Sequence, residues 1–176
     1  TSPSVAAVLV KEVEPLNLLF VEEPCPPENV KAMARVSARS TTPIATGERL
    51  IASYGCRELI ESGVVDILQP DIMYLGGICR TLEVCRMGER AGLPITPHAA
   101  NLGLVTMCTM HLLRAIPNAG KYLEFSIEGL DYYPWQDGLF LNDPYRIEAG
   151  HAIVTDQRLR ERHFGGDGDR DGLAQR

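Results

Sequence analysis

Five short segments dense in Ile, Leu, Val and Phe recur along the chain: LLFVEEP, TPIATGE, VVDILQPD, LPITPHA and KYLEFSIE. Each has the length and apolar character of a buried strand. Between them the apolar spacing becomes helical, through Val30, Met33 and Val36, then Leu59 and Ile60 ahead of Gly63, then Leu82, Cys85 and Ala91 ahead of Gly92. A glycine just past such a pattern is a helix C-cap signal. A fourth helix is predicted over 104–115 through Met107, Cys108 and Leu112, stopping before Pro117, and the opening TSPSVAAVLVKEVEPLN also reads as helix. Alternating strand and helix predicts an α/β fold with a parallel sheet.

One polar residue closes each predicted strand: Glu22, Glu48, Asp71, His98 and Glu124, at steps of 23 to 27 residues. A constant step is what one strand-loop-helix-loop unit produces, and residues repeating at that step occupy equivalent positions. In a parallel barrel, equivalent positions at the C-terminal strand ends converge on one mouth, where active sites of that architecture sit. Within FVEE, alternation sends Glu22 inward and Glu23 to the rim, where Glu23 is expected to be a hydrogen-bonded loop carboxylate rather than a ligand.

Beyond Glu124 the period fades into the aromatic, turn-rich GLDYYPWQDGLFLNDP, followed by YRIEAGHAIVT, which predicts a hairpin around Ala149-Gly150. Residues 155–176 are charged and lack apolar periodicity, so a disordered tail is expected there. Its DGDRDG stretch mimics the opening of a calcium loop, but the closing glutamate would fall beyond Arg176. The chain thus divides into a catalytic barrel part at 1–135, a return arm at 136–154 and the tail at 155–176.

Composition narrows the function classes. The net charge of −6 leaves no clustered cationic surface for a phosphate backbone, which excludes nucleic acid as an expected partner. No apolar run approaches the ~20 residues that span a bilayer, so no membrane partner and a cytoplasmic location are expected. The five cysteines are scattered without ligand spacing and read as reduced, mostly buried thiols.

Glu22 and Glu48 on adjacent strand ends offer hard oxygen ligands, the chemistry of Mg²⁺. Either alone could equally be an ion-paired barrel residue. A third ligand would be expected from a preceding strand, and the residues before Leu18 supply none in that position. Asp71 can accept a hydrogen bond from one nitrogen of His98 while the other faces the cavity, the arrangement of an oriented general base. Glu124, a carboxyl crowded by other anions, could donate a hydrogen bond to a developing oxyanion, or form a plain ion pair. Asn101, after the His98 strand, and Tyr74, on the loop toward Gly76-Gly77, are weaker substrate-contact candidates, with helix capping and packing as the alternatives. His111 is expected on a helix surface, and Arg49 in a structural ion pair.

The motifs FVEEP, IATGE, DILQPDIMYLGGI, ITPHAANLG and LEFSIEG, in this order and spacing, resemble the mandelate racemase subgroup of the enolase superfamily over residues 16–154. The resemblance implies a (β/α)₈ TIM-type barrel, of which this chain carries the last five strand-helix units. It implies Glu22 and Glu48 as Mg²⁺ ligands, Asp71 and His98 as the acid/base dyad, and Glu124 as the hydrogen-bonding partner of the substrate carboxylate or its enediolate. TGER, TPHAANLG and YYPWQ are most similar to acid-sugar dehydratases, which remove the proton alpha to a carboxylate and expel the β-hydroxyl to give a 2-keto-3-deoxy acid. Racemase, epimerase and cycloisomerase chemistry shares the first half of that reaction. The family's capping domain, its lysine-bearing early strands and its first metal ligand find no counterpart in these residues, so the reading includes a truncated chain. It also includes a non-catalytic barrel fragment, and association with itself or with an N-terminal part.

Overall fold

The computed structural model describes residues 2–100, 102–128, 131–132, 139–140 and 145–154. The chain divides into two units, Thr1–Leu139 and Phe140–Arg176.

In the first unit, α1 (Pro3–Val13) starts where Ser2 accepts the Val5 N–H at 3.3 Å, with proline in the first turn, whose missing N–H costs nothing there. It buries Ala6, Ala7 and Val10 and packs on α2 (Val30–Ser37), which Asn29 caps by accepting the Ala32 N–H at 3.0 Å. The strands β1 (Val21–Glu22), β2 (Ile44–Thr46) and β3 (Ile67–Leu68) form a parallel sheet in chain order. Val21 pairs with Ile44, Glu22 with Ala45, and Thr46 with Leu68. Between them run α3 (Ser53–Ser62), ended by Gly63 in the left-handed conformation at φ 67°, and after β3 comes α4 (Ile78–Arg90). The helix α5 (Leu104–Ala115) stops at Ile116, one residue before Pro117.

Helices cover one face of the sheet. Val21 and Ile44 pack with Val10, Met33 and Val36, while Leu68 and Ile95 pack with Leu59, Leu75, Val84 and Leu112. Strand alternation therefore turns Glu22 and Ala45 to the opposite face. Just past β1, Glu23 keeps one further ladder bond, its N–H donating to the Ala45 carbonyl at 3.0 Å, and then bends into a left-handed backbone at φ 37°.

Two of the predicted strands are reduced. LPITPHA joins the sheet by a single parallel bridge between Ile95 and Leu68, and the next bridge, Ile95 to Ala119, lies ahead of KYLEFSIE. The described residues 121–128 form no strand. Apolar alternation alone does not make a strand, and the Ala99 N–H beside that segment is taken by the Glu124 side chain rather than by a backbone carbonyl. Among the described residues of this unit, three strands and two bridges thus stand where five strands were expected.

Gly120 fixes this edge: its N–H donates to the Ile95 carbonyl at 2.6 Å, and a Cβ there would sit 2.9 Å from that same oxygen. Gly120→Ala is therefore expected to destabilise the fold by about 1–3 kcal/mol, the usual cost of overpacking against backbone. Urea unfolding followed by circular dichroism measures it.

In the second unit, β4 (Tyr145–Glu148) and β5 (His151–Val154) form the expected hairpin, antiparallel with Glu148 opposite His151. Ala149 and Gly150 both take positive φ, 48° and 77°, as a two-residue turn matched to strand twist requires. Arg146 and Glu148 pair on its surface. The segment 155–176, with DGDRDG, lies outside the described residues.

All five cysteines are free. Cys25, Cys56 and Cys85 are buried, and burial pushes the Cys56 thiol up to about 11 and the Cys85 thiol up to about 12. Among the described residues no helix is long and apolar enough to cross a membrane.

Candidate active site

Asp71 and His98 meet because they lie at the same offset. Leu68 and Ile95 are bridged in parallel, and each residue follows its bridge position by three. His98 Nδ1 stands 2.7 Å from Asp71 Oδ2. The carboxylate is itself held from behind: Asp71 is 6% exposed, and its Oδ1 accepts the N–H groups of Met73 at 2.6 Å and Tyr74 at 3.0 Å. Burial pushes the Asp71 carboxyl up, but the His98 hydrogen bond and the Tyr74 and Met73 N–H donors outweigh it and leave it below the ordinary carboxylate range. An ionised carboxylate only accepts, so Nδ1 carries a proton and Nε2 is the nitrogen free for exchange.

That Nε2 lies 3.5 Å from Glu48 Oε2, and the His98 side chain is 20% exposed. The Tyr74 ring runs nearly parallel to the imidazole, 11° apart in plane at a centroid separation of 6.5 Å. The Asp71 hydrogen bond raises the His98 pKa, burial opposes it, and the charges of Glu124, Glu48 and Asp71 add to the rise, pushing it up to about 9. Burial also raises the Glu48 carboxyl; His98 counters this, while the Glu23, Glu22 and Glu124 charges reinforce it.

A histidine raised from 6.5 to about 9 stabilises the native state below pH 6.5, and that contribution fades as pH climbs through about 9. The Asp71 contribution runs the other way: present above 3.8, it is lost as pH falls through the lowered native value. In the metal-free chain, Asp71→Asn is expected to bring the His98 titration down toward its ordinary value, because it removes the largest cause of the rise. Imidazole carbon shifts followed against pH check this.

Glu124 reaches the same place from the far side, its Oε2 accepting the Ala99 N–H at 2.8 Å. Glu22 is exposed at the end of β1. Glu23 turns away from that group: Oε1 accepts from the Thr46 hydroxyl at 2.9 Å and Oε2 from Arg49 Nε at 3.0 Å, which makes it the hydrogen-bonded loop carboxylate and Arg49 its ion-pair partner. His111 is exposed on α5. Asn101 lies outside the described residues. The second His98 nitrogen, expected to face the cavity, has Glu48 across from it. Thr46 was not among the expected site residues, although a hydroxyl inside the buried run IAT is itself a signal that a polar partner waits nearby.

Among the described residues, no group of three His, Cys, Asp or Glu side chains is placed to hold a metal ion. The donor chemistry of Glu22 and Glu48, hard carboxylate oxygens, is of the kind that suits Mg²⁺. Shallow depressions between α2 and α3, and between α3 and α4, contain none of these residues.

A parallel α/β sheet with this carboxylate and imidazole cluster at its C-terminal edge defines the class: the chain belongs to the enolase C-terminal domain-like family, whose domain is a TIM barrel, with residues 1–158 matching. Its relatives include the D-galactonate dehydratase of Ralstonia nicotianae, 33% identical over 152 residues that make up 86% of this chain and 38% of that protein. The D-xylonate dehydratase of Haloferax volcanii is 30% identical over 149 residues, 85% of this chain and 35% of that one. Among solved structures, a Roseobacter denitrificans protein with a provisional racemase assignment is 52% identical, with a TM-score of 0.83 over 89% of this chain and 43% of its own. The L-talarate dehydratase of Polaromonas sp. JS666, complexed with Mg and L-glucarate, is 29% identical, with a TM-score of 0.73 over 88% of this chain and 40% of its own. The chain spans well under half the length of these relatives.

Proposed function

We propose that this chain carries the proton-transfer half of a Mg²⁺-dependent sugar-acid dehydratase site. The observation that carries the reading is the 2.7 Å bond between His98 Nδ1 and Asp71, with Nε2 left for exchange beside Glu48. Asp71 fixes the ring and its tautomer. His98 removes the proton alpha to the substrate carboxylate and returns one to the departing β-hydroxyl, which leaves as water. At neutral pH a histidine raised to about 9, chiefly by the Asp71 hydrogen bond, holds both ring protons, so it must give up the one on Nε2 before it can act as base, a loss that a cation held by Glu22 and Glu48 would favour. Glu124 orients the substrate carboxylate, with Tyr74, stacked over the imidazole, as a further contact and Asn101 as another candidate. Glu22 and Glu48 would hold Mg²⁺, which supplies positive charge to the carboxylate as the proton leaves.

The dehydratase relatives favour this reaction over its alternatives, and the 52% identical racemase assignment supports a second reading in which His98 returns the proton to the same carbon. A panel of sugar acids with Mg²⁺, assayed for 2-keto-3-deoxy product and for exchange of the α-proton with deuterium, separates them. Exchange without product supports the second.

Two anionic anchors bind a hard dication weakly. Titration calorimetry of this chain with Mg²⁺ is expected to give a Kd no tighter than about 1 mM, equivalent to about 4 kcal/mol, and Glu48→Gln to remove the signal. Tight binding that survives Glu48→Gln would show that the ion sits elsewhere.

A further inference from the structure

The turn that carries Glu48 is clasped from outside by a residue that the proposed chemistry does not use. Glu23 lies one strand away, yet both of its oxygens are committed to residues on either side of Gly47-Glu48: Oε1 to the hydroxyl of Thr46 at 2.9 Å and Oε2 to Arg49 Nε at 3.0 Å. Thr46 is fully buried, so its hydroxyl has no water to turn to and depends on that carboxylate. Glu23 in turn holds a left-handed backbone at φ 37°, which side chains other than glycine rarely adopt. Two neighbouring residues of the turn are therefore fixed by one carboxylate, and the backbone that delivers the carboxylate is one the side-chain bonds must hold in place.

Gly47 shows what the clasp defines. At φ 135° it takes a conformation open to glycine, and a Cβ there would press on Leu68 Cδ1 at 3.3 Å and on the Gln69 backbone nitrogen at 3.4 Å. The backbone thus runs close against β3 at Gly47, and Glu48 follows it directly. A glycine next to the functional carboxylate offers little rotational restraint of its own.

We infer that Glu23 is a positioning residue: by bridging Thr46 and Arg49 across Gly47-Glu48, it fixes the direction in which Glu48 presents its carboxylate. The inference rests on the reading of Glu48 as a Mg²⁺ ligand, but its geometric part stands apart from it. Glu23 contacts neither substrate nor ion in this scheme. It acts through Glu48, and Arg49 offsets its charge, so that Glu23 supports the turn without competing for the cation.

The test uses the ¹⁵N-labelled 176-residue chain, with Mg²⁺ alone as the probe. In Glu23→Ala the backbone order parameters of Gly47 and Glu48 are expected to fall from about 0.85 to below about 0.6. The Mg²⁺ Kd is expected to rise about 10-fold, the usual effect of losing a group that orients a ligand. Glu23→Gln can still accept from Thr46 and is expected to stay within about threefold of the parent. Thr46→Val removes the same bond from the other side while keeping the side-chain volume; it should loosen Gly47-Glu48 less than Glu23→Ala, and add nothing to it in the double variant. Gly47 and Glu48 remaining ordered in both Glu23→Ala and Thr46→Val would overturn the inference. So would a Glu23→Gln variant that keeps the turn ordered but loses Mg²⁺ as fully as Glu48→Gln, because Glu23 would then be a ligand. A turn that loosens as expected in a chain whose parent gives no Mg²⁺ response would support the positioning role and overturn the metal assignment instead.

Discussion

In a complete homologous barrel that carries these residues, His98→Asn is expected to lower sugar-acid dehydration by about 10²–10⁴-fold, the range lost when a positioned acid-base group is removed, while leaving Mg²⁺ binding unchanged. Asparagine keeps a polar group near Asp71 but cannot exchange a proton. Asp71→Asn is expected to fall in the same range by another route: an amide can donate where the carboxylate only accepts, so the ring loses both its fixed tautomer and the bond that raises its basicity. The two act as one unit, so the double variant should lose little more than either alone. Single-turnover kinetics with an α-deuterated substrate check the assignment, since the primary isotope effect reports the step proposed for His98. Turnover that survives His98→Asn would place the proton transfer on another residue.

The 176-residue polypeptide tested by itself is expected to show no dehydration above background. Electrostatic stabilisation of the charge that develops on the substrate carboxylate is usually the largest catalytic contribution, and one lost donor of this kind costs about 10²–10³ in rate. Among the described residues only Glu22 and Glu48 are placed as candidate anchors, and Glu22 stands in water at the end of β1, where its charge is screened. β1 is also an edge of the sheet, and Val5, Val8, Leu9, Leu16 and Leu19 nearby in sequence are all more than half exposed, so self-association is expected at assay concentrations. The measurement is 2-keto-3-deoxy product formed by the isolated chain, then by the chain mixed with the N-terminal portion of a dehydratase relative, with light scattering alongside. Robust turnover by the isolated chain that is abolished by His98→Asn would show that these residues suffice.

The helices were legible because their signals are local. Val30, Met33 and Val36 recur at helical spacing, Gly63 takes the left-handed cap, and Pro117 marks the stop of α5, whereas the Ser2 and Asn29 N-caps went unread. The Asp71–His98 pair was legible because equal offsets along parallel segments place side chains together, a relation that spacing alone carries. Strand extent was not. KYLEFSIE has the apolar alternation of a strand, but a strand also needs a paired neighbour, and pairing is a property of the whole sheet. The Glu48–His98 separation of 3.5 Å likewise depends on how the Gly47 turn closes, which φ 135° at a glycine leaves open to the surrounding structure rather than to the local sequence.

The left-handed backbone at Glu23 sets two selective pressures against each other. Glycine would occupy that conformation without steric penalty, and replacing a strained left-handed residue with glycine relieves a cost of order 1–3 kcal/mol. The same replacement leaves the buried Thr46 hydroxyl without its acceptor, at a cost of about 1–3 kcal/mol, so the two effects oppose each other at similar size. Order at Gly47-Glu48 favours glutamate at position 23, because glycine has no side chain to reach Thr46 and Arg49. Position 23 is thus a point at which a melting curve can stay nearly flat while the turn ahead of Glu48 comes loose, so thermal stability alone would not report the change.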